Sequence, residues 1–505
     1  MAAPQLDAFA RAVHRFATAG KLDAARMMLN WDAQTHMPAG GAWARGEQMA
    51  AITEVAAELI GSRAAGDELA EAEAMAASLE PDERADLGEM RRTWIHTSAV
   101  PKELLAAKAR ASQTLQAVWR TAKPNNDWAA FEPGFAELLA LTREVAQAKA
   151  ERLGTTLYGA LLDQFDPGVG EDLIDPIFAD LGAFLPGVIA EVRERQAAWP
   201  EPIPFGAVPV EQQAAMSHRL AVAVGHDPDA FRIDQAPHPF SVPHSPGDVR
   251  FTTRYDLANP QFAISATLHE AGHAMYEFNL PRAFAFRPGG NARGMTMHES
   301  QSLSLERMAG RSAEFLSWLA PLLAREYGGE PARWSFANVL NAWRRLDDGF
   351  IRVEADELSY PLHVILRYRL EKALIAGDLL PADVPGAWDE LFTSLIGRTP
   401  PDLAHGCLQD IHWSAGLMGY FPNYAMGSML AAQLFERAAA ADGDILPALG
   451  RGDFAPYFAW VKPRVHARAS LTSFDNLVRD ATGASLSAEA FKRHVRRRYL
   501  EEPLG

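Results

Sequence analysis

The segment from His269 to His273 holds two histidines four residues apart, with Glu270 directly after the first. On an α-helix, residues four apart project about 40° from each other, with Cβ atoms about 6 Å apart, so both imidazoles can bind one metal ion. Glu270 projects to one side of this pair, where it can hold a water molecule beside the metal. The pattern therefore predicts a metal-dependent hydrolytic site, with His269 and His273 as ligands and Glu270 as general base and acid.

The helix that must position these side chains has clear ends in the sequence. Asn259 is a favourable N-cap residue, Pro260 suits the first helical position, and Pro281 ends a run of about six turns. Apolar residues lie on all sides of this helix, which indicates that it is buried. Two core histidines that bond backbone carbonyls are the alternative interpretation.

A catalytic zinc site needs a third protein ligand and an open fourth position. Because the chain has one cysteine, Cys407, we expect that ligand to be a carboxylate or a histidine. Glu299 follows His273 by 26 residues, which leaves room for a turn at Gly289 and a return helix. Spacing alone leaves both Glu299 and its neighbour His298 as candidates. A third possibility is that Glu299 binds no metal and is a solvated residue at the start of a helix.

The elements around this motif are mostly helical. From residue 6 to about 199, and again from residue 259 to the C-terminus, apolar residues recur at helical spacing. Residues 231–234 and 248–255 contain β-branched and aromatic residues, and they predict two short strands joined by a loop at 243–247. We therefore predict a mainly α protein with one small β-sheet beside the HExxH helix.

We predict one domain over residues 1–505, with a helical N-terminal half (about 1–200) and a metal-site half (about 201–505). The segment 200–204 contains three prolines and could be either a linker or a rigid turn inside that domain.

The composition excludes several classes of protein. With 48% hydrophobic and 22% charged residues, the chain is neither disordered nor fibrous. A net charge of −16 and the lack of a dense basic run before Lys492 argue against a nucleic-acid partner. One cysteine fits a reducing compartment, and neither a secretory signal pattern nor an apolar run of about 18 residues stands out. We expect a cytoplasmic protein that binds neither nucleic acid nor a membrane.

Several motifs together resemble the carboxypeptidase Taq family of metal-dependent carboxypeptidases, HExxH zinc peptidases whose third ligand is a glutamate. In chain order these motifs are WDAQTHMP (31–38), HPF (238–240), DxRxT (248–252), HExxH (269–273), HESQ (298–301), IRVEAD (351–356) and GxxQDxHW (406–413). The resemblance covers most of the chain and favours Glu299 over His298 as the third ligand. It implies a saddle-like, mostly helical single-domain fold with a deep groove, and a homodimer.

The resemblance also implies that the protein removes C-terminal residues from peptides with a free C-terminus, with broad specificity. Arg352 is the candidate for binding the terminal carboxylate, because a guanidinium group binds a carboxylate through two hydrogen bonds. A buried ion pair with Asp356 is the alternative role for Arg352. The expected cofactor is one Zn²⁺ per chain, with Co²⁺ or Mn²⁺ also compatible with the ligands.

Four further residues are candidates for binding substrate. Arg250 shares one face of a strand with Asp248 and Thr252, and such a strand could pair its edge with an extended peptide or orient the metal ligands through its polar face. A surface ladder of Asp and Arg side chains is the alternative. His238 and His412 could bind the substrate backbone or the oxyanion, and Tyr420, beside Tyr424, could donate a phenol hydrogen bond. Two other functions stay open, a metallo-oligopeptidase that cuts internal bonds and a non-catalytic helical interaction scaffold.

Overall fold

Long α-helices form the N-terminal half, as its Ala-, Leu- and Glu-rich sequence predicts. The computed structural model describes residues 7–242, 247–347 and 349–503. Asp7 caps the first helix by accepting a hydrogen bond from the backbone of Ala10, and Gly154 ends the sixth in the left-handed region. The helices are α1 (Ala8–Thr35), α2 (Ala42–Gly61), α3 (Arg63–Ala74), α4 (Pro81–Ser98), α5 (Lys102–Asn125), α6 (Trp128–Leu153), α7 (Leu157–Asp163), α8 (Glu171–Ala197) and α9 (Val210–Val224).

A small sheet follows, formed by β1 (Phe231–Gln235), β2 (Ser241–Val242) and β3 (Val249–Thr253). The strand order is β1-β3-β2, with β1 parallel and β2 antiparallel to β3. The sequence predicted β1 and β3 but not the two-residue β2. Positions 243–246 of the predicted loop lie outside the described residues. Because β3 is the central strand, both its edges are hydrogen-bonded, and the expectation that it pairs its edge with a peptide is wrong.

Helices return after the sheet, as predicted. Asn259 caps α10 through the backbone N–H of Phe262, with Pro260 at the first helical position. A π-helix over Ser304–Ala309 directly continues α11. The remaining helices are α10 (Pro260–Phe278), α11 (Gly294–Leu303), α12 (Ala313–Tyr327), α13 (Phe336–Arg344), α14 (Tyr360–Ala376), α15 (Val384–Ile396), α16 (Pro422–Ala441), α17 (Ile445–Leu449), α18 (Ala455–Arg464), α19 (Phe474–Thr482) and α20 (Glu489–Arg496).

One large hydrophobic core joins these elements and includes buried residues from α6, α8, α10, α14 and α16. A smaller cluster joins α1, α3 and α4 around Phe16, Leu69 and Met90. Among the described residues, α8 is the one helix that is long and apolar enough to cross a membrane by length and composition. Its residues Leu181 and Leu185 are fully buried in the large core. The predicted mainly α class with one small sheet is confirmed.

Glycines set the closest helix approaches beside the predicted metal site. A Cβ added to Gly272 of α10 would lie 2.5 Å from the carbonyl oxygen of Gln301 and 2.7 Å from the Cα of Ser302, both in α11. A Cβ on Gly427 of α16 would lie 2.7 Å from side-chain carbons of Glu299, also in α11. Helix α11 therefore packs so closely between α10 and α16 that positions 272 and 427 have no room for a residue larger than glycine.

We expect Gly272→Ala to destabilise the fold, because its methyl group would meet backbone atoms of α11. Overpacking of this kind costs about 1–3 kcal/mol, so thermal unfolding followed by circular dichroism should show a lower melting temperature. Gly187→Ala in α8 is the matched control, since a Cβ there meets nothing within 4 Å. The control should melt at or above the wild-type temperature. Wild-type melting of Gly272→Ala would contradict the packing described.

Candidate metal centre and active site

Two adjacent helices bring His269, His273 and Glu299 together. Their potential ligand atoms all lie within 4.8 Å of one another. The Glu299 Oε2 is 3.5 Å from Nε2 of His273 and 3.8 Å from Nε2 of His269. Ligands of one tetrahedral zinc ion lie about 3.3 Å apart, given bond lengths of about 2.0 Å, so this donor set fits a metal ion with little adjustment.

Burial sets the protonation of the residues around this cluster. It lowers the pKa of His273 to about 4, which leaves the imidazole neutral, as a metal ligand must be. Burial opposes charge on His269 as well, but the carboxylates of Glu299 and Glu306 raise its pKa to about 9. An imidazole facing two carboxylates marks a pocket that favours a cation.

Glu270 lies buried beside the two histidines, with 5% of its surface exposed. Among the described residues its Oε2 has no hydrogen-bond partner. Burial raises the pKa of this carboxyl to about 7. A buried carboxylate oxygen without a partner is costly, so this arrangement is typical of a group that takes up and releases a proton.

Glu306 orients His269, a contact that the sequence analysis did not identify. Its Oε2 is 2.9 Å from Nδ1 of His269, which leaves Nε2 pointing toward Glu299. Glu306 follows Glu299 by seven residues, or two helical turns, and lies in the π-helix. This seven-residue spacing is the sequence feature that could have identified Glu306, because residues seven apart share a helix face. Carboxylates behind histidine ligands commonly fix the tautomer and the ring orientation.

Arg352 lies in a buried charge cluster. Its Nε and Nη2 donate to Asp410 Oδ1 at 3.1 and 2.9 Å, and Arg367 Nε donates to Asp410 Oδ2 at 2.7 Å. The alternative pairing with Asp356 is wrong, because that carboxylate accepts instead from the backbone of Leu358 and its neighbour. Among the described residues, Asp410 is the carboxylate that bonds both guanidinium groups. Two positive charges therefore share one negative charge.

Burial and the neighbouring Arg352 lower the pKa of Arg367 to about 10, so both arginines stay charged at neutral pH. The paired guanidinium groups hold the pKa of Asp410 well below its ordinary value, against its burial. The cluster accordingly keeps one excess positive charge in the protein interior, which an anionic ligand could neutralise.

Three tyrosines lie close enough to Glu299 for its charge to act on them, and two of them, Tyr360 and Tyr424, also contact Arg352. Arg352 Nη1 donates to the Tyr360 hydroxyl at 3.2 Å, and the Tyr420 and Tyr424 rings are 5.4 Å apart. Burial raises the pKa of all three phenols, and the charge of Glu299 raises it further. They therefore remain hydrogen-bond donors at neutral pH. Tyr360 was not identified from the sequence.

His412 lies beside these tyrosines. Its Nε2 is 3.5 Å from the Tyr424 hydroxyl, and its ring packs on Phe421 at 4.4 Å between centroids. Burial lowers its pKa to about 4, so the imidazole is neutral. The structure thus brings together three sequence-predicted residues, Arg352, His412 and Tyr420.

His238 and Arg250 lie at the small sheet. His238 is exposed, and Arg250 forms two 2.8 Å hydrogen bonds with the partly exposed Asp248. Within the described ranges, neither side chain bonds the proposed metal ligands. The sheet itself is close to the site, because Ser241 of β2 is near enough to Glu270 to lower the pKa of its carboxyl.

Helix α5 holds the irregular loop between α15 and α16 that carries Asp410 and His412. The Trp119 Nε1 donates to the carbonyl of Leu408 at 2.9 Å, and the Lys123 Nζ donates to that of Gln409 at 2.8 Å. Nearer the N-terminal end of α5, Ser112 and Lys108 donate to the carbonyls of residues 414 and 416. Side-chain donors thus satisfy loop carbonyls that secondary structure does not.

Comparisons with known proteins agree with this geometry. The family described as carboxypeptidase Taq (M32) metallopeptidase matches residues 12–499. Thermostable carboxypeptidase 1 of Thermus thermophilus is 35% identical over 480 residues, which cover 93% of this chain and 94% of that relative. Carboxypeptidase 1 of Bacillus subtilis is 34% identical over 390 residues, 76% of each chain. The solved structure of Trypanosoma cruzi metallocarboxypeptidase 1 has a TM-score of 0.95 and 35% identity, covering 98% of this chain and 99% of that one.

We expect Trp119→Phe to loosen the loop from residue 406 to 417, because the carbonyl of Leu408 loses its donor. Hydrogen–deuterium exchange should become faster in that loop and stay unchanged in α10. Trp128→Phe is the matched control, since the Trp128 indole nitrogen has no hydrogen-bond partner among the described residues. Equal exchange in the two variants would show that the loop does not depend on the α5 donor.

Proposed function

This chain belongs to the carboxypeptidase Taq (M32) family of metallopeptidases, and from that premise we propose how its site hydrolyses the C-terminal peptide bond. The observation that carries the proposal is the approach of His269, His273 and Glu299 to within 4.8 Å beside the buried Glu270. The alternative of a non-catalytic scaffold is set aside, because the family and the relatives are carboxypeptidases.

His269, His273 and Glu299 would hold one metal ion per chain. Two imidazoles and one carboxylate suit Zn²⁺, and Co²⁺ or Mn²⁺ fit the same donors. When bound, the ion would polarise the scissile carbonyl and lower the pKa of a water molecule.

Glu270 is the proposed general base and acid. Its unpartnered Oε2 takes a proton from the attacking water and then delivers it to the nitrogen of the leaving amino acid. The phenol of Tyr420, with Tyr424 as the alternative, donates a hydrogen bond to the oxyanion that develops on the substrate carbonyl. The neutral His412 lies 3.5 Å from the hydroxyl of Tyr424, the alternative donor, and supports the position of that phenol.

The excess positive charge at Arg352 and Arg367 supports cleavage at a free C-terminus. A terminal carboxylate would neutralise that charge, and Arg352 is the more exposed of the two guanidinium groups, at 5% against 1%. A blocked C-terminus offers no such charge, which would favour removal of single terminal residues over internal cleavage. Arg250 and the exposed His238 are proposed to bind the peptide backbone farther from the cleaved bond.

We further propose that residues 1–505 form one catalytic domain that acts as a cytoplasmic homodimer on peptides of varied sequence, without nucleic-acid or membrane partners. The continuous large core from α5 to α20 supports a single domain. The one cysteine, buried Cys407, fits a reducing compartment.

Glu270→Gln should retain its metal and lose about 10²- to 10⁴-fold in kcat, because it removes only the proton acceptor. The test is mass spectrometry of a peptide pool, half of it amidated at the C-terminus, beside metal analysis. The wild type and a surface control, Glu211→Gln, should shorten only the free-acid peptides, one residue at a time. Internal cleavage of amidated peptides would identify an oligopeptidase, and full activity of Glu270→Gln would overturn the role of Glu270.

Arg352→Ala should weaken binding of free-acid peptides by about 10- to 100-fold, since a charged hydrogen bond contributes about 1.5–3 kcal/mol. Binding is measured by calorimetry in the Glu270→Gln background, so that no peptide is consumed. Arg352→Lys keeps the charge but cannot make the bidentate contact, so its affinity for free-acid peptides should fall less. If affinity for amidated and free-acid peptides falls equally, Arg352 does not bind the carboxylate.

A further inference from the structure

A chain of hydrogen bonds lies behind His273, on the side away from Glu299. The Nδ1 of His273 is 2.6 Å from Nδ1 of His298. The Nε2 of His298 is in turn 2.9 Å from Oε1 of Glu277. These side chains are largely buried, with exposures of 12% for His273, 14% for His298 and 6% for Glu277.

The proton positions in this series of hydrogen bonds follow from the carboxylate at one end. A carboxylate accepts hydrogen bonds, so the nitrogen of His298 that faces Glu277, Nε2, is the donor of that contact. With the proton on Nε2, Nδ1 of the same ring is the acceptor, and the facing Nδ1 of His273 is the donor. Nε2 of His273 is left with a lone pair on the side of Glu299, where a metal ligand needs it.

We propose that His298 and Glu277 are positioning residues that fix the tautomer and the ring orientation of His273 for metal binding. This inference rests on the proposed function, because it assumes that His273 is a ligand. His298 is thereby assigned a role behind the metal site rather than in it, although it directly precedes Glu299 in the sequence.

The two histidine ligands are oriented in different ways. The Nδ1 of His269 contacts the carboxylate of Glu306 directly, whereas the Nδ1 of His273 is linked to the carboxylate of Glu277 through the imidazole of His298. Glu277 lies one turn after His273 on the same helix, α10, and His298 of α11 bridges the two residues. The His273 and His298 rings also pack at 4.6 Å between centroids, which limits rotation of both.

A pair of substitutions at position 298 separates positioning from packing. His298→Leu removes the acceptor that faces His273, whereas His298→Asn keeps a side-chain oxygen near the position of Nδ1. The protein as purified is stripped of metal, and Zn²⁺ affinity is measured by competition with a chromophoric chelator. His405→Leu is the control, because it breaks another histidine–carboxylate pair, with Asp402, at an exposed site.

We expect His298→Leu to bind Zn²⁺ about 10- to 100-fold more weakly than the wild type, as is typical when the partner of a histidine ligand is lost. His298→Asn should recover most of that affinity, and His405→Leu should not differ from the wild type. A folded His298→Leu protein with wild-type affinity would overturn the proposal, as would equal losses in the Leu and Asn variants.

Glu277→Leu tests the proposal independently if His298→Leu does not fold. A leucine accepts no hydrogen bond, so nothing holds the proton of His298 on Nε2, and the tautomer of His273 is no longer fixed. We expect a loss of Zn²⁺ affinity and, in histidine-labelled protein loaded with Zn²⁺, a changed imidazole N–H signal by NMR. Unchanged affinity and an unchanged signal would overturn the proposal. Failure of the wild type itself to bind Zn²⁺ would instead refute the proposed function.

Discussion

The close packing of α11 between α10 and α16 is the constraint on which the metal centre depends. Gly272 lets the backbone of α11 approach the helix that carries both histidines, and Gly427 makes room for the side chain of Glu299 from the other side. Helices with larger residues at these crossings would stand farther apart. The carboxylate would then no longer reach the two imidazoles, although every ligand would still be present in the sequence.

Charge is arranged in two opposite groups around the buried site. Glu270 and Glu299 lie beside the histidines and favour a cation, whereas Arg352 and Arg367 share the single carboxylate of Asp410 and favour an anion. A buried charge without a partner is costly, so both imbalances are expected to be compensated by ligands. A metal ion and a peptide with a free terminal carboxylate would supply those two charges.

Irregular backbone carries much of the site, and neighbouring helices hold it in place. The loop before α16 presents Asp410 and His412, and its carbonyls accept hydrogen bonds from α5, a helix nearly 300 residues earlier, as in the contact between Trp119 and Leu408. Glu371 of α14 adds a further anchor by accepting from the indole nitrogen of Trp413. Such long-range contacts give hydrogen-bond partners to a loop that lacks the regular bonds of a helix.

The sequence by itself determined the helical class, the capped helix of His269 and His273, and the position of Glu270, because these depend on local spacing and on caps. Resemblance to a family selected Glu299 over His298. Only the tertiary structure decided that Asp410 rather than Asp356 pairs with Arg352, that Glu306 and His298 stand behind the two histidines, and that both edges of β3 are occupied. Those contacts join residues from separate elements, and their distances depend on how helices pack, which periodicity along one segment does not specify.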